Sequence, residues 1–177
     1  MNLILLPGNS RENRTWIDLV EHQLGPSFSH TAVHYYDHWW TDESDAELDF
    51  DSELLKLAGT VQEFDKYVIF AKSAGVLLAM RGIFEGILEP SVCFFVGTAV
   101  NWGLSKGLDI NTWFANYDVP TLFIQKEQDP AIPYTELVSF LDSNNVTGYH
   151  AVSIAGNDHS YSDVDLLCQH IQEFYDL

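Results

Sequence analysis

The chain has 177 residues, of which 26 are acidic and 8 basic, for a formal net charge of −18; 46% are apolar and 14% aromatic. That length and apolar content suit one globular domain with a substantial core rather than a disordered chain. So acidic a surface repels phosphate backbones and anionic headgroups, so neither a nucleic-acid partner nor a membrane surface is expected.

Short apolar runs alternate with longer segments of helical period. Asn2–Leu6 reads as a first strand, too short for a signal peptide and without a basic region before it. It ends in Pro7-Gly8-Asn9-Ser10, where Gly8 permits a tight turn, and a helix follows over Glu12–Leu24. Thr31–Tyr36 reads as a second strand. His30, His34 and His38 lie around it at even spacing, but no carboxylate or cysteine set completes a metal site with them. The acidic stretch Asp42 to Glu53 lacks the glycine of a calcium loop. It reads as a solvated loop and the acidic first turn of a helix over Asp49–Phe64.

Strands follow at Tyr67–Ala71, Val92–Val96, Thr121–Gln125 and Tyr149–Ile154, with helices at Gly75–Ile87, Pro133–Asp142 and Val164–Tyr175. In the last helix Val164, Leu167, Cys168, Ile171 and Phe174 share one apolar face. Cys93 and Cys168 sit in apolar settings and read as small buried hydrophobes. No run is long enough to span a bilayer, and a soluble cytoplasmic protein is the expectation. Strand and helix alternating this often predict an α/β fold. Its mostly parallel sheet of about six strands would lie between two helical layers in one domain, residues 1–177, with no lid insertion.

The chemistry centres on Ala71-Lys72-Ser73-Ala74-Gly75, placed between a strand and a helix. A nucleophile on so sharp a turn adopts strained backbone angles, and the residues two positions away must be small. Ala71 and Gly75 are small, although a helix N-cap serine would read the same way. The partners separate the two readings. Serine needs a base to take its proton, and the base needs a third group to fix its tautomer. Asp129 follows the fifth strand and His159 the sixth. Parallel strands bring all three residues to one edge, in the order Ser, Asp, His. The turn after the first strand reaches that edge too. The backbone N–H groups of Ala74 and Asn9, with Ser10 as a substitute, are the expected oxyanion donors.

On these four segments the chain resembles the small, capless members of the α/β-hydrolase superfamily over essentially its whole length. The resemblance implies the family's eight-stranded sheet trimmed to about six, in the order 2-1-3-4-5-6. It also implies a serine hydrolase with Ser73, Asp129 and His159 as its triad, and no metal or cofactor. Three positions depart from the family's pattern: Ala71 replaces the first elbow glycine, Lys72 stands where a histidine is frequent, and Pro7 stands where many members carry histidine.

With no lid, the site should be open, with Trp39, Trp40 and Trp102 as candidate walls and His38, Trp113 and Phe114 as further ones. An aromatic-walled pocket favours an apolar acyl or aryl group, and the expected partner is a small ester-like molecule. The competing class is a non-catalytic interaction protein retaining the hydrolase fold. A flavodoxin-like nucleotide binder would share the alternation, but the first loop lacks a glycine-rich phosphate cradle.

Overall fold

The computed structural model describes residues 1–41 and 48–175. Six strands form one parallel sheet: β1 (Asn2–Leu6), β2 (Thr31–Val33), β3 (Tyr67–Lys72), β4 (Cys93–Val96), β5 (Thr121–Lys126) and β6 (Tyr149–Ile154). Their order across the sheet is β2-β1-β3-β4-β5-β6, with every pairing parallel. The central strands are buried on both faces, which is why they read as nearly continuous apolar runs.

Strand side chains alternate between faces, so each strand feeds two cores. Leu3, Leu5, Val68, Phe70, Phe94, Val96, Leu122 and Ile124 pack with residues of α1 (Asn13–Leu24) and α7 (Val164–Tyr175). Ile4, Leu6, Ile69, Ala71, Phe95 and Phe123 face the opposite layer. That layer holds α2 (Phe50–Val61), α3 (Ala74–Phe84), α6 (Tyr134–Ser143) and two short helices, α4 (Val100–Ser105) and α5 (Ile110–Phe114). The three-layer arrangement and strand order are those expected from the sequence.

Two segments differ from the sequence reading. The second strand stops at Val33, three residues short of Tyr36, although the His34 N–H still donates to Leu5 O at 2.9 Å, and Asp37–Trp40 then coils into a 3-10 turn. The segment after β4, given no element in the sequence reading, folds into α4 and α5. Within the acidic stretch, residues 42–47 lie outside the described residues. Its remainder does open α2, with Asp49 capping the N–H groups of Asp51 and Ser52.

Helix α3 fixes the middle of the molecule. A Cβ on Gly75 would stand 2.5 Å from the carbonyl oxygens of both Leu6 and Pro7, so only glycine lets α3 start against the end of β1. Ser73, between β3 and α3, takes φ 56° and ψ −118°. Such a backbone costs about 1–3 kcal/mol. The turn holds because the Ser73 N–H donates to Val96 O at 3.0 Å and its carbonyl accepts from Val76 N–H at 3.1 Å.

Candidate active site

The strand ends bring Ser73, Asp129 and His159 together as the sequence reading expects. Ser73 Oγ lies 2.8 Å from His159 Nε2, and His159 Nδ1 lies 2.9 Å from both carboxylate oxygens of Asp129. Asp129 is fully buried. A carboxylate only accepts, so the ring proton belongs on Nδ1 and Nε2 of the neutral imidazole is free to accept from Ser73.

The Asp129 carboxylate is held on every side. Oδ1 accepts the Ala131 N–H at 2.8 Å, and Oδ2 accepts the Tyr161 hydroxyl at 2.6 Å. Burial first, and then the hydrogen bond to Asp129, raise the Tyr161 phenol well above its usual range, so it stays a donor. Its oxygen in turn accepts the Lys126 N–H at 2.9 Å. Buried Gln125 joins the neighbouring loops, accepting from Thr98 N–H and donating to Ile132 O, both at 2.8 Å.

The turn after β1 is anchored just as firmly. Asn9 O accepts from Trp39 Nε1 and His38 Nε2, each at 2.8 Å, and Asn9 Oδ1 accepts the Leu48 N–H at 3.0 Å. The 3-10 turn supplying those donors is fixed by buried Glu53, which accepts from Asp37 N–H at 2.7 Å and pairs with His34 at 2.9 Å. Two of the evenly spaced histidines therefore have structural partners. Among the described residues no group of three or more His, Cys, Asp or Glu side chains could hold a metal.

Lys72, whose role the sequence left open, is buried at 5% exposure. Its ammonium donates to Asn13 Oδ1 at 2.8 Å and Ser160 O at 3.0 Å, and lies 4.4 Å from the centre of the Trp16 ring. Asn13 also donates to Ser10 O at 3.0 Å. Lys72 thus ties the turn after β1 to the loop carrying His159. Burial lowers its pKa to about 8, against the opposing charge of Asp129.

Two cavities meet at Ser73 and His159. One, of about 380 Å³, is walled by Ala99, Trp102, Pro130 and Ala131 and includes Asn9 and Ala74. The other, of about 510 Å³, is lined by Lys72, Asn13 and polar residues of the His159 loop. Of the three candidate tryptophans, Trp102 lines the first cavity. Trp39 is buried in the core as a donor to Asn9, and Trp40 is 58% exposed beneath the Arg14 guanidinium. Sequence reasoning missed Asn13 and Tyr161, although Tyr161 stands only two residues beyond His159, and His38, offered as a pocket wall, instead donates to Asn9 O.

No protein-family model matches the chain, and no curated protein matches it in sequence. Its architecture does match solved structures. Est1E from Butyrivibrio proteoclasticus, solved with ferulic acid bound, is 15% identical and superposes with a TM-score of 0.73 over 98% of this chain and 87% of that one. Mouse alpha/beta hydrolase domain-containing protein 10 is 13% identical, with a TM-score of 0.74 over 99% and 89%. The N-formylmaleamic acid deformylase of Pseudomonas putida S16 is 12% identical, with a TM-score of 0.74 over 96% and 91%. The fold is that of the α/β hydrolases.

Proposed function

We propose that the chain is a serine hydrolase that cleaves a small carboxylic ester through an acyl-enzyme, working as one domain without a lid. The observation supporting this most directly is the unbroken hydrogen-bonded path from Asp129 through His159 to Ser73. Ser73 Oγ attacks the ester carbonyl as its proton passes to His159 Nε2. Asp129 stabilises the resulting imidazolium, and the N–H groups of Ala74 and Asn9 receive the oxyanion, with Ser10 as the substitute donor. The C–O bond to the alcohol then breaks and His159 returns the proton to the departing oxygen. Water, deprotonated by His159, attacks the acyl-enzyme, releasing the acid and restoring Ser73. The acyl group occupies the cavity beside Trp102, whose size and apolar wall favour a short aliphatic or aryl group. The hydrolase-domain protein among the compared structures adds a fold-level analogy.

The test is labelling of purified protein with a fluorophosphonate, followed by peptide mapping, with His159→Ala and Ser73→Ala as controls. Modification at Ser73 that both substitutions remove, together with turnover of p-nitrophenyl acetate, is the expected result. A well-folded protein that neither labels nor turns over ester would instead be a binding protein on a hydrolase scaffold.

A further inference from the structure

The two cavities at Ser73 differ in the charged side chains that line them, and the difference bears on which alcohol departs. Resting on the reading that Ser73 becomes acylated, we infer that the larger cavity receives a neutral, hydroxyl-rich leaving group, so that the substrates are esters of a polyol such as glycerol or a sugar.

The assignment of sides comes from the proposed proton path. Asn9 and Ala74 line the smaller cavity but not the larger, so the acyl carbonyl belongs in the smaller one. His159 must return its proton to the departing oxygen, and its chain neighbours Asp158 and Ser160 wall the larger cavity. At about 510 Å³ that space lies within the roughly 300–1,000 Å³ usual for small-molecule sites.

The lining then selects the chemistry. Lys72, Glu12, Asn13, Asp158, Ser160 and Ser162 present an ammonium, an amide, two hydroxyls and two carboxylates to the same space. Lys72 uses two of its three N–H donors on Asn13 and Ser160 O, and neither acceptor is charged. Asp158 Oδ1 accepts from Lys126 Nζ at 2.9 Å and from Ser160 N–H at 2.7 Å. A carboxylate or phosphate in this space would face Glu12 and Asp158, and a quaternary ammonium would face Lys72. Trp16 also lines this space and gives it an apolar face, but a plain alkyl chain would strip water from the polar groups and return no hydrogen bonds. A hydroxyl both donates and accepts, so a group rich in hydroxyls satisfies a wall of mixed sign without burying a charge.

The experiment holds the acyl group constant. Ethyl butyrate, glyceryl monobutyrate, 6-O-butyrylglucose and p-nitrophenyl butyrate are compared by kcat/KM, alongside fluorophosphonate labelling. At least one polyol ester should exceed the ethyl ester by tenfold or more, and which one does so separates glycerol from sugar. Ser162→Val and Glu12→Val, each checked for folding by circular dichroism, should each shrink that ratio at least threefold. If p-nitrophenyl butyrate is hydrolysed but the ethyl ester equals or exceeds both polyol esters, the leaving-group assignment is overturned while the serine-hydrolase reading stands. If Ser73 neither labels nor turns over p-nitrophenyl butyrate, both are overturned.

Discussion

The Tyr161 hydroxyl donates to Asp129 Oδ2 at 2.6 Å, from a residue only two positions past the histidine that the same carboxylate orients. The base loop therefore contacts the carboxylate twice, once through a ring nitrogen and once through a phenol. Tyr161 also takes a left-handed backbone, φ 51°, and its ring packs edge-on against His159 at 5.9 Å.

Tyr161→Phe keeps the ring and removes only the hydroxyl, leaving the Lys126 N–H without its partner. The expected cost is about 1.5–3 kcal/mol of stability, as for a lost hydrogen bond to a buried charge. A fall in kcat of roughly tenfold, with KM nearly unchanged, should accompany it, since about 1.4 kcal/mol of misplaced base is tenfold in rate. Urea denaturation and p-nitrophenyl acetate kinetics on the same preparation check both. An unchanged kcat would mean that His159 and Ala131 alone suffice to hold Asp129.

Lys72 makes stability depend on alkaline pH. Its folded pKa is lowered to about 8 from 10.5. Between those values the unfolded chain binds more protons than the folded one, so stability rises with pH across that window. The penalty for the dehydrated ammonium is fully present below pH 8 and is relieved by about pH 10.5. Against Lys72→Met, the unsubstituted chain should gain about 3 kcal/mol between pH 7 and 10.5, because each tenfold loss of proton affinity on folding is worth about 1.4 kcal/mol. Urea midpoints of the two proteins at both pH values measure it, and parallel profiles would contradict the dehydration of Lys72.

Glu53 predicts the opposite limb. Burial pushes its carboxyl up, but hydrogen bonds from His34, the Asp37 N–H and Lys56 outweigh that and bring it down to about 2. Its contribution is fully present above pH 4.5 and is lost as pH falls through about 2. Glu53→Gln should cost about 3 kcal/mol at pH 7, with the difference closing in strong acid. Acid titration of the circular dichroism signal of both proteins tests the window. The proposed turnover of p-nitrophenyl acetate should fall too, because the Asp37 N–H that Glu53 holds starts the turn bearing His38 and Trp39.

The parts of this fold legible in the sequence are those set by local pattern. Runs such as Tyr67–Ala71 and Thr121–Gln125 suit strands buried on both faces, and parallel strands force their following loops to one edge. Ser73, Asp129 and His159 therefore meet as expected. What escaped were side-chain directions and pairings that the order of the strands does not set. Trp39 and Trp40 are adjacent and chemically alike, yet one donates to Asn9 from the core and the other lies exposed under Arg14. No periodicity distinguishes them, because a 3-10 turn rather than a strand sets their directions. Lys72 was equally opaque, since its acceptors come from residues 59 and 88 positions away.

The strained backbone at Ser73 sets two kinds of selection against each other. Glycine adopts φ 56° freely, whereas alanine there keeps the strain, and both lose the hydroxyl. After the entropy glycine loses on folding, Ser73→Gly should be about 1 kcal/mol more stable than Ser73→Ala. For a chain of this size that is about 2–4 °C in melting temperature, readable by calorimetry. A library of this protein sorted on heat resistance alone would therefore favour glycine over alanine at position 73, and either choice loses the proposed nucleophile.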